Sequence, residues 1–194
     1  MKVVLASASP RRIELMGRIG LECTADPAGI DETIEPSDKA AAILSLRKAE
    51  AVLPRHPAGT VIIAADTVVV CGGRLLGKPL NEGDAFDMLR SLSGRTHTVH
   101  TGVTVMRDTE VLTEMESTLV TMREMTDGEI YAYISTGEPM DKAGSYGIQE
   151  RGALLVERVE GDFYNVMGLP VCRLSKMLLK FGISLLTREV CGRE

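Results

Sequence analysis

Val61-Ile62-Ile63-Ala64-Ala65-Asp66-Thr67-Val68-Val69-Val70 is a continuous aliphatic run of strand length that begins just after Thr60. Such a run predicts a β-strand buried on both faces rather than on one. It contains a single carboxylate, Asp66. An acid in apolar surroundings is costly to desolvate unless a cation, a metal or hydrogen bonds compensate. Asp66 therefore reads either as a functional group or as an acid capped by a backbone N–H. After this strand, Cys71-Gly72-Gly73 predicts a turn and residues 74–76 a returning hairpin arm. Before it, residues 38–53 are rich in Ala and Leu and end at Pro54, the pattern of a helix.

The same unit opens the chain. Residues 2–6 form a short aliphatic strand, broken at Ser7-Ala8-Ser9-Pro10. Residues 11–19 carry the helical stripe Ile13, Met16, Ile19, with Ser9 placed to cap it and Pro10 at its first position. Further on, residues 81–92 form a helix capped by Asn81, and 95–106 and 110–122 are two long paired strands. Thr126 and Glu129 have the spacing of a capping box, opening a helix that ends at Gly137. Residues 147–149 and 153–159 predict a further hairpin around Glu150-Arg151-Gly152, and Leu169-Pro170 opens a last helix closed by Gly182. Strands and helices interleave without repeats or linkers, which indicates an α/β or α+β fold on one mixed sheet.

The composition narrows the function. The chain has 194 residues, 44% of them hydrophobic and 25% charged, within the range of a folded globular protein. Its 27 acidic and 22 basic residues give a net charge of −5, which disfavours binding to nucleic acid or to an anionic membrane. Cys23, Cys71, Cys172 and Cys191 form no Cys-x-x-Cys pair, so reduced thiols are expected rather than disulfides or a zinc site. The apolar run at the N-terminus is too short for a signal peptide, and the longest apolar run is too short to span a membrane. A soluble, cytoplasmic protein is expected.

Four constellations carry chemistry. Ser7-Ala8-Ser9-Pro10-Arg11-Arg12 places hydroxyls, backbone N–H groups and two guanidiniums at a helix N-terminus, where anions bind. Asp66 is the second. Gly73-Arg74-Leu75-Leu76-Gly77-Lys78-Pro79 is superficially like a phosphate-binding P-loop, but has three residues between its glycines and Pro after its Lys. That disfavours a Walker-type enzyme and leaves Lys78 as a point charge for phosphate. Asp31-Glu32, with Asp66, offers hard oxygen ligands for magnesium. His97 and His100 are three apart on a strand, so they lie on opposite faces and are poor co-ligands.

Taken together and in order, these residues resemble the Maf family of nucleoside triphosphate pyrophosphatases. The matching stretches include Leu5 to Arg12, Ile30-Asp31-Glu32, Lys48-Ala49, Ala64 to Val69, Gly77-Lys78-Pro79 and Ser93 to His97. They continue with Asp141 to Gln149 and Glu160 to Pro170. Ile43 departs from the pattern, which prefers Arg there. The resemblance implies a fold similar to inosine triphosphate pyrophosphatase, with a long mixed sheet and two lobes flanking a nucleotide cleft. On this basis residues 1–186 form a single domain of two lobes and 187–194 a polar tail.

The resemblance also implies a homodimer, a divalent metal (Mg or Mn) and hydrolysis of a nucleoside triphosphate to the monophosphate and pyrophosphate. It implies Asp66 as proton acceptor and Glu32 and Asp66 as metal ligands. Ser7, Ser9, Arg11, Arg12, Lys48, Thr67, Lys78 and Gln149 would bind substrate. Arg11, Thr67 and Gln149 match the branch acting on dTTP and UTP. A 7-methyl-GTP or modified-nucleotide pyrophosphatase, and a non-catalytic nucleotide sensor acting in septum formation, stand as alternatives.

Overall fold

The computed structural model describes residues 1–35, 37 and 39–186. The expected tail at 187–194, and Asp38 at the start of the second helix, lie outside the described residues. The elements in chain order are β1 (Val3–Leu5), α1 (Pro10–Arg18), β2 (Thr24–Ala25), α2 (Ala40–Val52), β3 (Val61–Cys71) and β4 (Arg74–Leu76). They continue with α3 (Glu82–Leu92), β5 (Thr96–Arg107), β6 (Glu110–Met122), α4 (Asp127–Ile134), β7 (Val156–Glu160), α5 (Phe163–Met167) and α6 (Val171–Lys180). The strands form a seven-stranded mixed sheet of order β2-β1-β3-β5-β6-β7, with β4 paired to β3. The fold is mixed α/β, as expected.

Local chemistry explains most boundaries. Gly72 and Gly73 both have positive φ (55° and 75°), so β3 and β4 are joined by the two-residue turn that matches strand twist. Asn81 caps α3 by accepting from the Asp84 N–H, and Thr126 and Glu129 close the expected capping box on α4. Ser9 occupies the N-cap of α1, with Pro10 at its first position, but its side chain makes no capping bond. Instead the Ser9 N–H donates to the Ser7 hydroxyl at 3.2 Å.

One expectation is corrected. Residues 147–149 form no strand, and Arg151–Leu155 is a 3₁₀ turn. Only the later part of the proposed hairpin is a strand, β7, and it pairs antiparallel with β6. The reason is that the backbone donors of Gly147, Arg151 and Gly152 bond to side chains of Tyr133 and Glu138 instead of a ladder. The two-residue β2 and the one-turn α5 were not anticipated.

The described chain divides into two compact units, to both of which β3, β5 and β6 contribute residues. The first comprises the described parts of Met1–Asp66, Thr101–Glu116 and Gly168–Glu194. Its sheet contains β1 parallel to both β2 and β3, and α2 covers it with a buried stripe of Ala41, Leu44, Ser45, Lys48, Ala49 and Val52. At Gly102 of β5, an added Cβ would lie 2.2 Å from the Ala41 carbonyl oxygen at the start of α2. No side chain fits there, so glycine sets how closely helix and strand approach. The second unit comprises Thr67–His100 and Ser117–Met167. Its core packs α3 and α4 (Leu89, Leu92, Ile130, Tyr133) on Val69, Val99, Val120 and Met122. There His97 is 2% exposed, bonds Tyr146 Oη through Nε2 at 2.8 Å, and is pushed by burial from 6.5 down to about 4.

Two outcomes follow from this packing. Gly102→Ala is expected to lower unfolding free energy by at least about 2 kcal/mol through overpacking, read from the urea midpoint. His97 stays neutral in the folded state at a pH where the unfolded chain is protonated. Its contribution is therefore complete above 6.5 and is lost as pH falls toward 4. The loss amounts to about 3 kcal/mol at most. Urea unfolding of His97→Gln between pH 7 and 4.5 should show a correspondingly flatter pH dependence than the parent.

Candidate active site

Strand β1 stops at Leu5, opposite Ile63 of β3 in parallel register, while β3 runs on to Asp66 and beyond. Ser7–Arg12 therefore turns away at the carboxyl end of β1, the end at which parallel sheets bind ligands. Ser7 is buried, and its Oγ accepts from the Ser9 N–H and from Arg12 Nη1 at 3.3 Å. Arg12 is 9% exposed and donates through Nε to the Gly168 carbonyl at 2.8 Å. Burial lowers its pKa, Asp66 opposes that shift, and the neighbouring Arg11 reinforces it. Arg11 and Ser9 are half-buried beside it.

Asp66 is 6% exposed and Lys48 8%. Lys48 projects from the buried stripe of α2, and its Nζ donates to Asp66 Oδ1 at 2.5 Å and lies 2.7 Å from Glu32 Oε1. One ammonium thus holds two carboxylates. Burial raises the Asp66 carboxyl above its ordinary value of 3.8; Lys48 and then Arg12 pull it back down, and Glu32 pushes it up. A buried acid with a raised pKa next to cations is suited to accepting a proton. Asp31 turns elsewhere: the Thr33 hydroxyl and then the Thr33 N–H, which donates to its Oδ1 at 2.9 Å, lower its pKa.

Glu32 and Asp66 converge on a single cationic nitrogen, so their oxygens are close enough to share one cation. Both are hard oxygen donors, and magnesium typically takes one or two carboxylates from protein when phosphates complete its shell. The pair therefore fits a divalent cation. Among the described residues no group of three or more His, Cys, Asp or Glu could hold a metal. His97 and His100 face different partners, Tyr146 and Ser117, as their spacing predicted.

The first unit thus brings together Ser7, Arg12, Glu32, Lys48 and Asp66, with Ser9 and Arg11 adjacent in the chain. The remaining expected residues belong to the second unit. Thr67 follows Asp66 on β3 and is half-buried, and strand alternation turns its side chain to the opposite face. Lys78 is exposed between β4 and α3, and Gln149 is half-buried in the 147–152 segment. Ile43, the departure from the family pattern, is exposed on α2. The ion pairing of Lys48 was missed at the sequence level. Its signal was present, since Lys48 lies four residues after Leu44 and four before Val52, on the apolar stripe.

Comparison with known proteins agrees with this architecture. The family model described as Maf-like protein matches residues 2–181. A dTTP/UTP pyrophosphatase of Moorella thermoacetica is 50% identical, covering 99% of this chain and 98% of that protein. A dTTP/UTP pyrophosphatase of Caldicellulosiruptor saccharolyticus is 47% identical, covering 97% and 99%. Among solved structures, the Staphylococcus aureus Ham1 protein superposes with a TM-score of 0.53 at 14% identity, covering 93% of this chain and all of that one. A HAM1 protein from Coxiella burnetii does so at 0.50 and 18%. These two show a shared fold. A family model that spans nearly the whole sequence, with relatives about half identical over their full length, means that this chain belongs to the Maf family.

Proposed function

We propose that this protein hydrolyses dTTP and UTP to the monophosphate and pyrophosphate. The observation that carries the proposal is the buried Asp66–Lys48 pair, joined by the exposed Glu32, beside the arginines of the Ser7–Arg12 turn. Support comes from relatives that are named dTTP/UTP pyrophosphatases and are about half identical over their full length.

In this reading water attacks the α-phosphorus and the bond to the bridging oxygen breaks, so that oxygen leaves with pyrophosphate. Asp66 takes the proton from the attacking water. Arg11, Arg12, Lys48 and Lys78 neutralise phosphate oxygens, and Ser7 and Ser9 donate hydroxyl hydrogen bonds. Glu32 and Asp66 would hold a divalent cation, Mg or Mn, which when bound supplies charge neutralisation at the phosphates. Thr67 and Gln149 read the pyrimidine. Gln149 carries both a donor and an acceptor, the complement of the imide edge of thymine or uracil. A wrong base would leave those groups unpaired, and such mismatches discriminate strongly. The same reading makes the protein a cytoplasmic homodimer that removes unwanted pyrimidine nucleotides from the pool.

A panel of dTTP, UTP, CTP and 7-methyl-GTP, with Mg²⁺, Mn²⁺ or chelator, should yield pyrophosphate chiefly from the first two and lose activity on chelation. Orthophosphate as the direct product would overturn the chemistry. Asp66→Asn should retain its melting transition and lose at least about a hundredfold in turnover. Because burial raises the Asp66 carboxyl, activity should fall on the acid side at a pH above its ordinary value of 3.8. Lys48→Met removes the largest opposing cation, so that acid limb should move further up in a kcat/KM profile.

A further inference from the structure

Between Tyr146 and the 3₁₀ turn at Arg151–Leu155, the chain makes a short loop that no strand holds in place. Gln149 sits at its middle. Loops of this kind are ordinarily mobile, because their backbone groups bond to water. Here they bond to two side chains from α4 and the turn after it. Tyr133 Oη accepts the Gly147 N–H at 3.0 Å and donates to Glu138 Oε1 at 2.9 Å. Glu138 Oε1 also accepts the Gly152 N–H at 3.2 Å, and Oε2 accepts the Arg151 N–H at 3.0 Å. Both ends of the loop are therefore tied to one phenol–carboxylate pair.

Three further contacts close the device. An added Cβ at Gly152 would lie 2.2 Å from the Gly147 carbonyl oxygen and 2.7 Å from Tyr133 Oη, so the two ends of the loop touch and leave no space for a side chain. Lys142 Nζ donates to the Glu138 carbonyl at 2.6 Å and to Asp141 Oδ1 at 2.8 Å, which fixes the backbone that carries the carboxylate. Immediately before the loop, buried Tyr146 is held by His97.

We propose that Tyr133 and Glu138 are positioning residues for base selection: they clamp the 147–152 loop and so hold Gln149 in register with the pyrimidine edge. This rests on the assignment of Gln149 to the base. The physical argument is preorganisation. A side chain that discriminates by hydrogen bonds must be placed to within a few tenths of an ångström, and a loop ordered before binding spares the ligand that ordering cost. The acceptor capacity is also matched to the task. Glu138 receives one hydroxyl and two amide hydrogens on two oxygens, and Gln cannot accept all three because one oxygen becomes an NH₂.

Tyr133→Phe and Glu138→Gln, each checked for a retained melting transition, test this in two independent measurements. Amide hydrogen exchange at Gly147, Arg151 and Gly152 should accelerate about tenfold or more, because each substitution removes an acceptor. The ratio of kcat/KM for dTTP over dCTP should fall about fivefold or more, mainly through KM for dTTP. In a Gln149→Ala background the same substitutions should leave that ratio unchanged. Unaltered exchange, or an unaltered ratio in the single variants, would overturn the clamp. A further fall in the ratio when Gln149 is already absent would overturn its action through Gln149. If Gln149→Ala alone leaves the ratio at its parent value, the assignment of Gln149 to the base fails. That failure is recognised separately, because the exchange measurement involves no nucleotide.

Discussion

An ionised carboxylate inside an otherwise aliphatic strand is tolerable only if a cation reaches it, and the first unit is organised around that requirement. Asp66 lies where β3 is buried on both faces, so its counter-charge has to arrive from a packed element. Lys48 does so from α2, which must turn the face bearing Leu44, Lys48 and Val52 toward the sheet. The close approach of Gly102 to the Ala41 carbonyl holds the start of that helix against β5. Removing the partner of a buried charge leaves it uncompensated, at a cost of several kcal/mol. Helix register, strand register and the charge pair are therefore mutually dependent.

Such a cluster is a poor way to stabilise a fold. Burying ions of both signs is commonly no better than burying apolar groups of the same volume. The raised Asp66 carboxyl shows that desolvation outweighs the attraction of Lys48 and Arg12. Stability alone would favour an apolar residue at position 66. The same imbalance that makes ionised Asp66 costly would make it a better proton acceptor in the proposed hydrolysis. Below 3.8 the protonated acid carries no such cost, and the penalty grows as pH rises through the raised value.

How far the sequence disclosed this depends on the range of each interaction. The β3–β4 turn, the Asn81 cap and the Thr126–Glu129 box were legible because their partners lie within four residues. The uninterrupted run at 61–70 announced a buried strand, and Asp66 stood out within it as a carboxylate in need of a partner. The 147–159 region was misread as a hairpin because its alternation is local, whereas the acceptors that take its amides, Tyr133 on α4 and Glu138 in the turn after it, lie 13 or 14 residues from the amides they bind. The pairing of Lys48 with Asp66 escaped for a related reason. Each was visible as a charge at a core position, 18 residues apart. Only the packing of α2 on β3 shows that the two anomalies compensate each other.

The net charge of −5 argues against long polyanions, and no such average applies to the cluster itself. Asp66 and Glu32 are offset by Lys48 and Arg12, so the set is close to neutral before any ligand arrives. A triphosphate adds several negative charges to a site of low dielectric, where each uncompensated charge is expensive. Arg11 supplies one further cation. A divalent cation, if Glu32 and Asp66 held one, would supply charge neutralisation against the remaining deficit. The bridge at 2.5 and 2.7 Å thus keeps a single ammonium on both acids, which without it would be two carboxylates repelling one another.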